Sequence, residues 1–150
     1  MTTRDLAVLS DPRWLGAAGL FPFFALAALI WLPGVPQAPV TQALLGYGAV
    51  ILSFVGALHW GLAMAAAPHN PPLTARLYLW SVVPALVGWL ALLLPAAPAV
   101  AVLIAGLWLH YAQDRRLTRV IALPDWYLPL RLSLTSAANL ALVLAWPQVV

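Results

Sequence analysis

The 150-residue chain contains no cysteine, no lysine and no glutamate. Without cysteine there is no disulfide, no thiolate metal ligand and no cysteine nucleophile. Without lysine and glutamate, all side-chain charge apart from histidine rests on seven arginines and four aspartates, 7% of the residues with a net of +3. An ordinary soluble domain carries about 25% charged residues. Seven scattered arginines form no basic stripe, so a nucleic-acid partner is not expected. A glycine-rich phosphate loop, a serine–histidine–acid trio at catalytic spacing and an internal repeat are also missing from the sequence. No enzymatic activity is expected.

What the chain does have is apolar side chain: 64% of its residues are hydrophobic, and its mean hydropathy is +0.94. A single core of this size has too little volume to hide that much apolar surface from water. Five apolar stretches lie near residues 14–33, 42–66, 75–94, 97–113 and 128–147. Each is close to the roughly 20 helical residues that cross a hydrocarbon core. Membrane-barrel strands would alternate and run about ten residues. The predicted fold class is therefore all-α, with residues 1–150 forming one integral membrane bundle of five transmembrane helices. Pro33, Pro36 and Pro39, then Pro68, Pro71 and Pro72, then Pro95 and Pro98 mark the breaks between spans. Pro22 and Pro84 fall inside spans, where kinks are expected. Arg4 and Arg13 precede the first stretch as they would in a signal peptide, but the run is long and no small-x-small cleavage site ends it. It reads as a retained helix.

With five spans, the N-terminus and the links near 67–74 and 114–127 share one side of the membrane. All seven arginines (Arg4, Arg13, Arg76, Arg115, Arg116, Arg119 and Arg131) lie in or beside those segments. The positive-inside bias predicts a cytoplasmic N-terminus and an external C-terminus. Trp14, Tyr78, Tyr111, Trp126 and Tyr127 then fall near the inner interface, and Trp31, Tyr47 and Trp146 near the outer one. Arg115, Arg116 and Arg119 are expected to bind anionic lipid headgroups.

Polar residues within the spans are few, and each needs a partner, because an unpaired polar group in lipid costs several kcal/mol. His59 lies in the second span. Ala49, Ser53 and Gly56 align with Trp60 beside it, a small-residue stripe that lets another helix approach. His59 is expected to face the bundle interior, with a partner on the fifth helix. There Arg131, Thr135 and Asn139 recur at four-residue intervals, one stripe on one helix face. Arg131 either snorkels to the interface or turns inward, and Asn139 is expected to bond another helix. His110 and Asp114, also four apart, allow a carboxylate to orient an imidazole. A metal would need a third ligand, for which His59 is the only buried candidate. Two buried histidines at somewhat different depths and no thiolate predict neither metal nor haem, and no cofactor.

Taken together, "PRWLGAAGLFPF", "YGAVILSFVGALHWGLAMA", "LYLWSVVPALVGWLALL" and "LPDWYLPLRLSLT" resemble the transmembrane-protein-69-like membrane family, a family of unknown function, over nearly the whole chain. The most specific elements hold His59 and Trp60, and Asp125, Trp126, Tyr127 and Arg131. The resemblance implies a fold and no activity. The short N-terminus without a transit peptide, together with the all-arginine, alanine-rich composition, predicts a multi-pass protein of a bacterial inner membrane. A likeness to the tryptophan-rich sensory proteins, which bind porphyrins and sterols, rests on span count, length and aromatic content. Their proline-rich pattern after the first span is absent, and no binding residue is carried over.

Two functions follow from these expectations. The first is a non-catalytic packing, accessory or assembly role with membrane partners, suggested by the very short loops. The alternative is a module that binds or transports a small hydrophobic molecule, with a pocket in the cytoplasmic half lined by His59, Trp60, His110, Tyr111, Trp126, Tyr127, Arg131 and Asn139.

Overall fold

A computed structural model describes residues 11–66 and 70–149. Arg4 and Pro68, which carry part of the topological reading, lie outside the described residues. Among the described residues six helices follow one another: α1 (Pro12–Ala18), α2 (Phe21–Leu29), α3 (Gln37–Ala66), α4 (Pro71–Leu92), α5 (Ala96–Leu117) and α6 (Tyr127–Val149). Counting α1 and α2 as one broken span, five segments of the described residues are long and apolar enough to cross a membrane. The protein is an all-α membrane protein, as the composition predicts.

The break in the first span comes from Pro22. It has no N–H to offer the Ala18 carbonyl four residues back, and its ring would crowd that carbonyl. The chain turns at Gly19–Leu20 instead of kinking within one helix. The Tyr47 hydroxyl on α3 donates to the Gly19 carbonyl at 2.7 Å, so a backbone acceptor at the break is satisfied from a neighbouring helix.

Several prolines assigned to breaks lie in first helical turns. Pro39 is in the first turn of α3, Pro71 and Pro72 open α4, and Pro98 is in the first turn of α5. The first turn tolerates proline because its N–H groups have no intrahelical acceptor. Asp11 and Asn70 act as N-caps, their side chains accepting from the N–H groups of Arg13 (2.8 Å) and Leu73 (3.2 Å). At the other end of the bundle, "WLPGVP" turns through Gly34 at φ +81°, in the left-handed region that favours glycine. The most consequential boundary is that of α5. It runs to Leu117, four residues beyond the apolar stretch, and so keeps Asp114 helical and one turn from His110.

The predicted small-residue stripe on α3 does bring another helix close. A Cβ at Gly56 would lie 2.9 Å from the Ser81 carbonyl oxygen and 3.0 Å from Pro84, and Gly88 of α4 packs on Ala49. Trp60 does not share this face: it is 48% exposed and meets Tyr78 edge-on at 5.0 Å. The main core, which includes Phe23, Leu44, Leu52, Leu103 and Leu142, joins α2, α3, α5 and α6. Large apolar side chains such as Phe21, Phe54, Leu79 and Trp89 point outward. In a bundle surrounded by acyl chains, that is the expected environment for them.

Candidate functional site

Three helices direct four polar side chains to one point. His110 and Asp114 stand one turn apart on α5, His59 comes from α3 and Arg131 from α6, and all four are buried. Arg131 Nε donates to Asp114 Oδ2 at 2.8 Å. The other carboxylate oxygen, Oδ1, faces both imidazoles: His59 Nε2 and His110 Nδ1 each lie 3.6 Å from it. That separation is too long for a hydrogen bond. The two rings are themselves in contact, with centroids 4.8 Å apart, and Trp80 of α4 meets His110 edge-on at 6.3 Å.

Ten buried side-chain nitrogen or oxygen atoms lack a hydrogen-bond partner among the described residues, and six of them belong to these four residues. They include both ring nitrogens of each histidine and Asp114 Oδ1. Native interiors leave few such atoms, and here more than half of those found among the described residues are concentrated at one point. Asp114 and Arg131 cancel in charge, and His59, His110 and Asp114 bring three potential ligand atoms within 4.8 Å of one another.

Next to this cluster is an apolar cleft of about 360 Å³ between α1, α2, α3 and α6. Leu15, Leu20, Phe23, Phe54, Leu58 and Leu134 form much of its wall. The break at Gly19 shapes the α1–α2 side of the cleft. Trp126, Tyr127 and Arg131 also border it, so the buried ion pair stands directly behind an apolar surface.

The predicted site residues thus separate into groups. His59, His110 and Arg131 come together, and Trp126, Tyr127 and Arg131 reach the cleft. Trp60 lies on the outer surface. Tyr111 packs edge-on against Trp108 at 6.0 Å and does not line the cleft. Asn139 is buried, but its amide donates to the Thr135 carbonyl of its own helix at 2.8 Å, in place of the expected bond to another helix. An intrahelical carbonyl four residues back is always within reach of such a side chain. Arg131 does not snorkel; it is 6% exposed and bound to Asp114. His59 faces the interior as predicted, but its nearest charged group is Asp114 on α5, not the stripe on α6. Arg115, Arg116 and Arg119 are exposed at and just beyond the end of α5. Sequence reasoning gave Asp114 only a supporting part and passed over the α1–α2 wall of the cleft, where scattered leucines and phenylalanines carry no distinguishing signal.

Residues 8–147 match the family described as "Protein of unknown function (DUF3429)". The chain belongs to that family. A relative of this DUF3429 member, transmembrane protein 69 of Xenopus tropicalis, is 37% identical over 93% of the chain. The chain spans 56% of that protein's length. No solved structure matches this DUF3429 member. The family resemblance drawn from "YGAVILSFVGALHWG" and "PDWYLPLR" is therefore correct, and the buried cluster takes His59 from the first of these segments and Arg131 from the second.

Proposed function

We infer that the protein is a non-catalytic membrane module that holds one small hydrophobic molecule in the cleft between α1, α2, α3 and α6. The observation that carries this reading is the cleft itself. At about 360 Å³ it falls in the roughly 300–1,000 Å³ range of ligand pockets, and its wall is almost wholly apolar. Such a wall holds a molecule by excluding solvent and supplies no nucleophile to transform it. Of the two functions suggested by composition, the geometry favours binding over a purely accessory role. The exposed Arg115, Arg116 and Arg119 support contact with anionic headgroups. The all-arginine, alanine-rich composition supports residence in a bacterial inner membrane, and the arginine distribution supports an orientation with this end of the bundle in the cytoplasm.

Native mass spectrometry of the full chain released from lipid nanodiscs tests the reading. Leu15 and Leu58 line the cleft and are partly exposed, so Leu15→Trp with Leu58→Trp narrows the mouth without overfilling the core. The wild type should retain one small apolar adduct per chain, and the double variant less than about a tenth of it, a loss of roughly 1.4 kcal/mol or more. Equal adducts in both proteins, or none in the wild type, would refute the assignment.

A further inference from the structure

We propose that His59, His110 and Asp114 form a binding site for one divalent first-row transition-metal cation of the zinc and ferrous class, with Arg131 as a positioning residue. The three ligands lie outside the lining of the hydrophobic cleft, which of the four residues only Arg131 borders, and the proposal does not depend on that cleft holding a molecule.

The distances favour coordination over hydrogen bonding. Asp114 Oδ1 lies 3.6 Å from His59 Nε2 and 3.6 Å from His110 Nδ1. Ligand atoms about 2.0–2.1 Å from a shared tetrahedral metal stand roughly 3.3–3.5 Å apart. The observed spacing is thus nearly that of two ligand pairs around one centre. All three ligand atoms lie within 4.8 Å of one another, and closure on a cation requires the two imidazoles to draw together by a fraction of that span. Each histidine has both ring nitrogens buried without a partner, so a cation would satisfy one nitrogen on each ring and Asp114 Oδ1 at the same time. The expectation of no metal rested on two buried histidines and no thiolate, but with the ring centroids 4.8 Å apart those two histidines and Asp114 together offer three ligand atoms.

The donor set selects the kind of cation. Two imidazoles and one carboxylate suit zinc, ferrous iron and their neighbours, whereas magnesium and calcium require a shell of oxygens. Arg131 Nε holds Oδ2 and thereby turns Oδ1 toward the histidines, as outer partners of ligating carboxylates do. Because Arg131 already neutralises the carboxylate, a bound dication leaves an excess of positive charge. An anionic fourth ligand, hydroxide being the simplest, offsets half of it.

The full chain, purified through a tag without histidine and stripped with chelator, should be titrated with Co²⁺ in nanodiscs and then challenged with Zn²⁺, Fe²⁺ and Mg²⁺. We expect one cobalt per chain with visible bands of nitrogen and oxygen coordination, displaced by Zn²⁺ or Fe²⁺ and not by Mg²⁺. His59→Gln, His110→Gln and Asp114→Asn should each weaken cobalt binding by more than about tenfold. Arg131→Lys should shift the visible bands, an effect that a role in folding alone would not produce. X-ray absorption of the zinc-loaded wild type requires no variant to fold and should show two imidazoles in the first shell. The proposal fails if the helical wild type binds less than about a tenth of a cobalt per chain. It also fails if the three ligand variants bind like wild type, or if the absorption spectrum contains no imidazole.

Discussion

Arg131 Nε donates to Asp114 Oδ2 at 2.8 Å, and both side chains are buried. This bond fixes α5 against α6 across the "RRLTRVIALPDW" link. It also accounts for an arginine that differs from Arg13, Arg76, Arg115, Arg116 and Arg119, all of which are exposed. A lone charge in an apolar interior is costly, so neither member of the pair is tolerable without the other. The pair therefore fixes which faces of α5 and α6 meet, and with them where His59 and His110 sit.

Removing one partner should be worse than removing both. Arg131→Met or Asp114→Leu alone is expected to cost about 3–5 kcal/mol, because each leaves an uncompensated buried charge. The combined variant should recover a substantial part of that loss. Reversible unfolding in mixed micelles measures the three values. Additive losses would mean that the two charges are not coupled.

The membrane class and the five spans are legible in the sequence because they are local: apolar runs of helical length, punctuated by proline and biased in arginine. The end of α5 is not, because hydropathy stops near residue 113 while the hydrogen-bonded helix continues through Asp114, Arg115 and Arg116 to Leu117. A hydropathy boundary thus cut the central carboxylate out of the span that presents it. The small stripe on α3 correctly signalled that His59 turns inward. Its partner depended on which helix lies opposite that face, a long-range fact that no periodicity encodes. The cleft was hidden for a related reason: its shape comes from the break at Gly19–Leu20, which Pro22 announced only as a kink.

The α3–α4 contact should be sensitive to single methyl groups. A Cβ at Gly56 meets backbone and proline ring at 2.9–3.0 Å, whereas one at Gly61 or Gly46 meets nothing within 4 Å. Gly56→Ala is expected to destabilise by about 1–3 kcal/mol through overpacking. Gly61→Ala and Gly46→Ala should be neutral or slightly stabilising, since alanine is the better helix former. Thermal melts of the three variants give the comparison, and a Gly56→Ala protein as stable as Gly61→Ala would show that the helices do not meet there.

Asn139 offers the opposite case, a buried polar side chain with little to lose. Among the described residues its amide bonds only to its own helix, and its Oδ1 has no partner. Side-chain hydrogen bonds within membranes average only about 0.6 kcal/mol, and replacing an unsatisfied acceptor with an apolar group of similar shape is close to neutral. Asn139→Leu should therefore change stability by less than about 1 kcal/mol. A loss above about 2 kcal/mol would reveal a partner to another helix or to a bound molecule.

Orientation in the bilayer is predicted from charge placement. Among the described residues, Arg13, Arg76, Arg115, Arg116 and Arg119 are exposed near the start of α1, the start of α4 and the end of α5. An up-and-down order of five spans puts those three places on one side of the membrane. The opposite links, "LPGVP" between α2 and α3 and the short turn between α4 and α5, contain no arginine or lysine. Insertion retains short loops rich in arginine in the cytoplasm, so the end of the bundle nearest the buried cluster should face inward and Val149 outward. Alkaline phosphatase fused near residue 35 or at the C-terminus should be active, and green fluorescent protein fused near residue 120 should fluoresce. Moving the bias tests the cause as well as the outcome: Arg115, Arg116 and Arg119 replaced by glutamine, with arginines added near Gly34, should produce a mixed population. Phosphatase activity at residue 120 in the wild type would overturn the orientation, and an unchanged population in the charge-swapped protein would show that arginine placement does not set it.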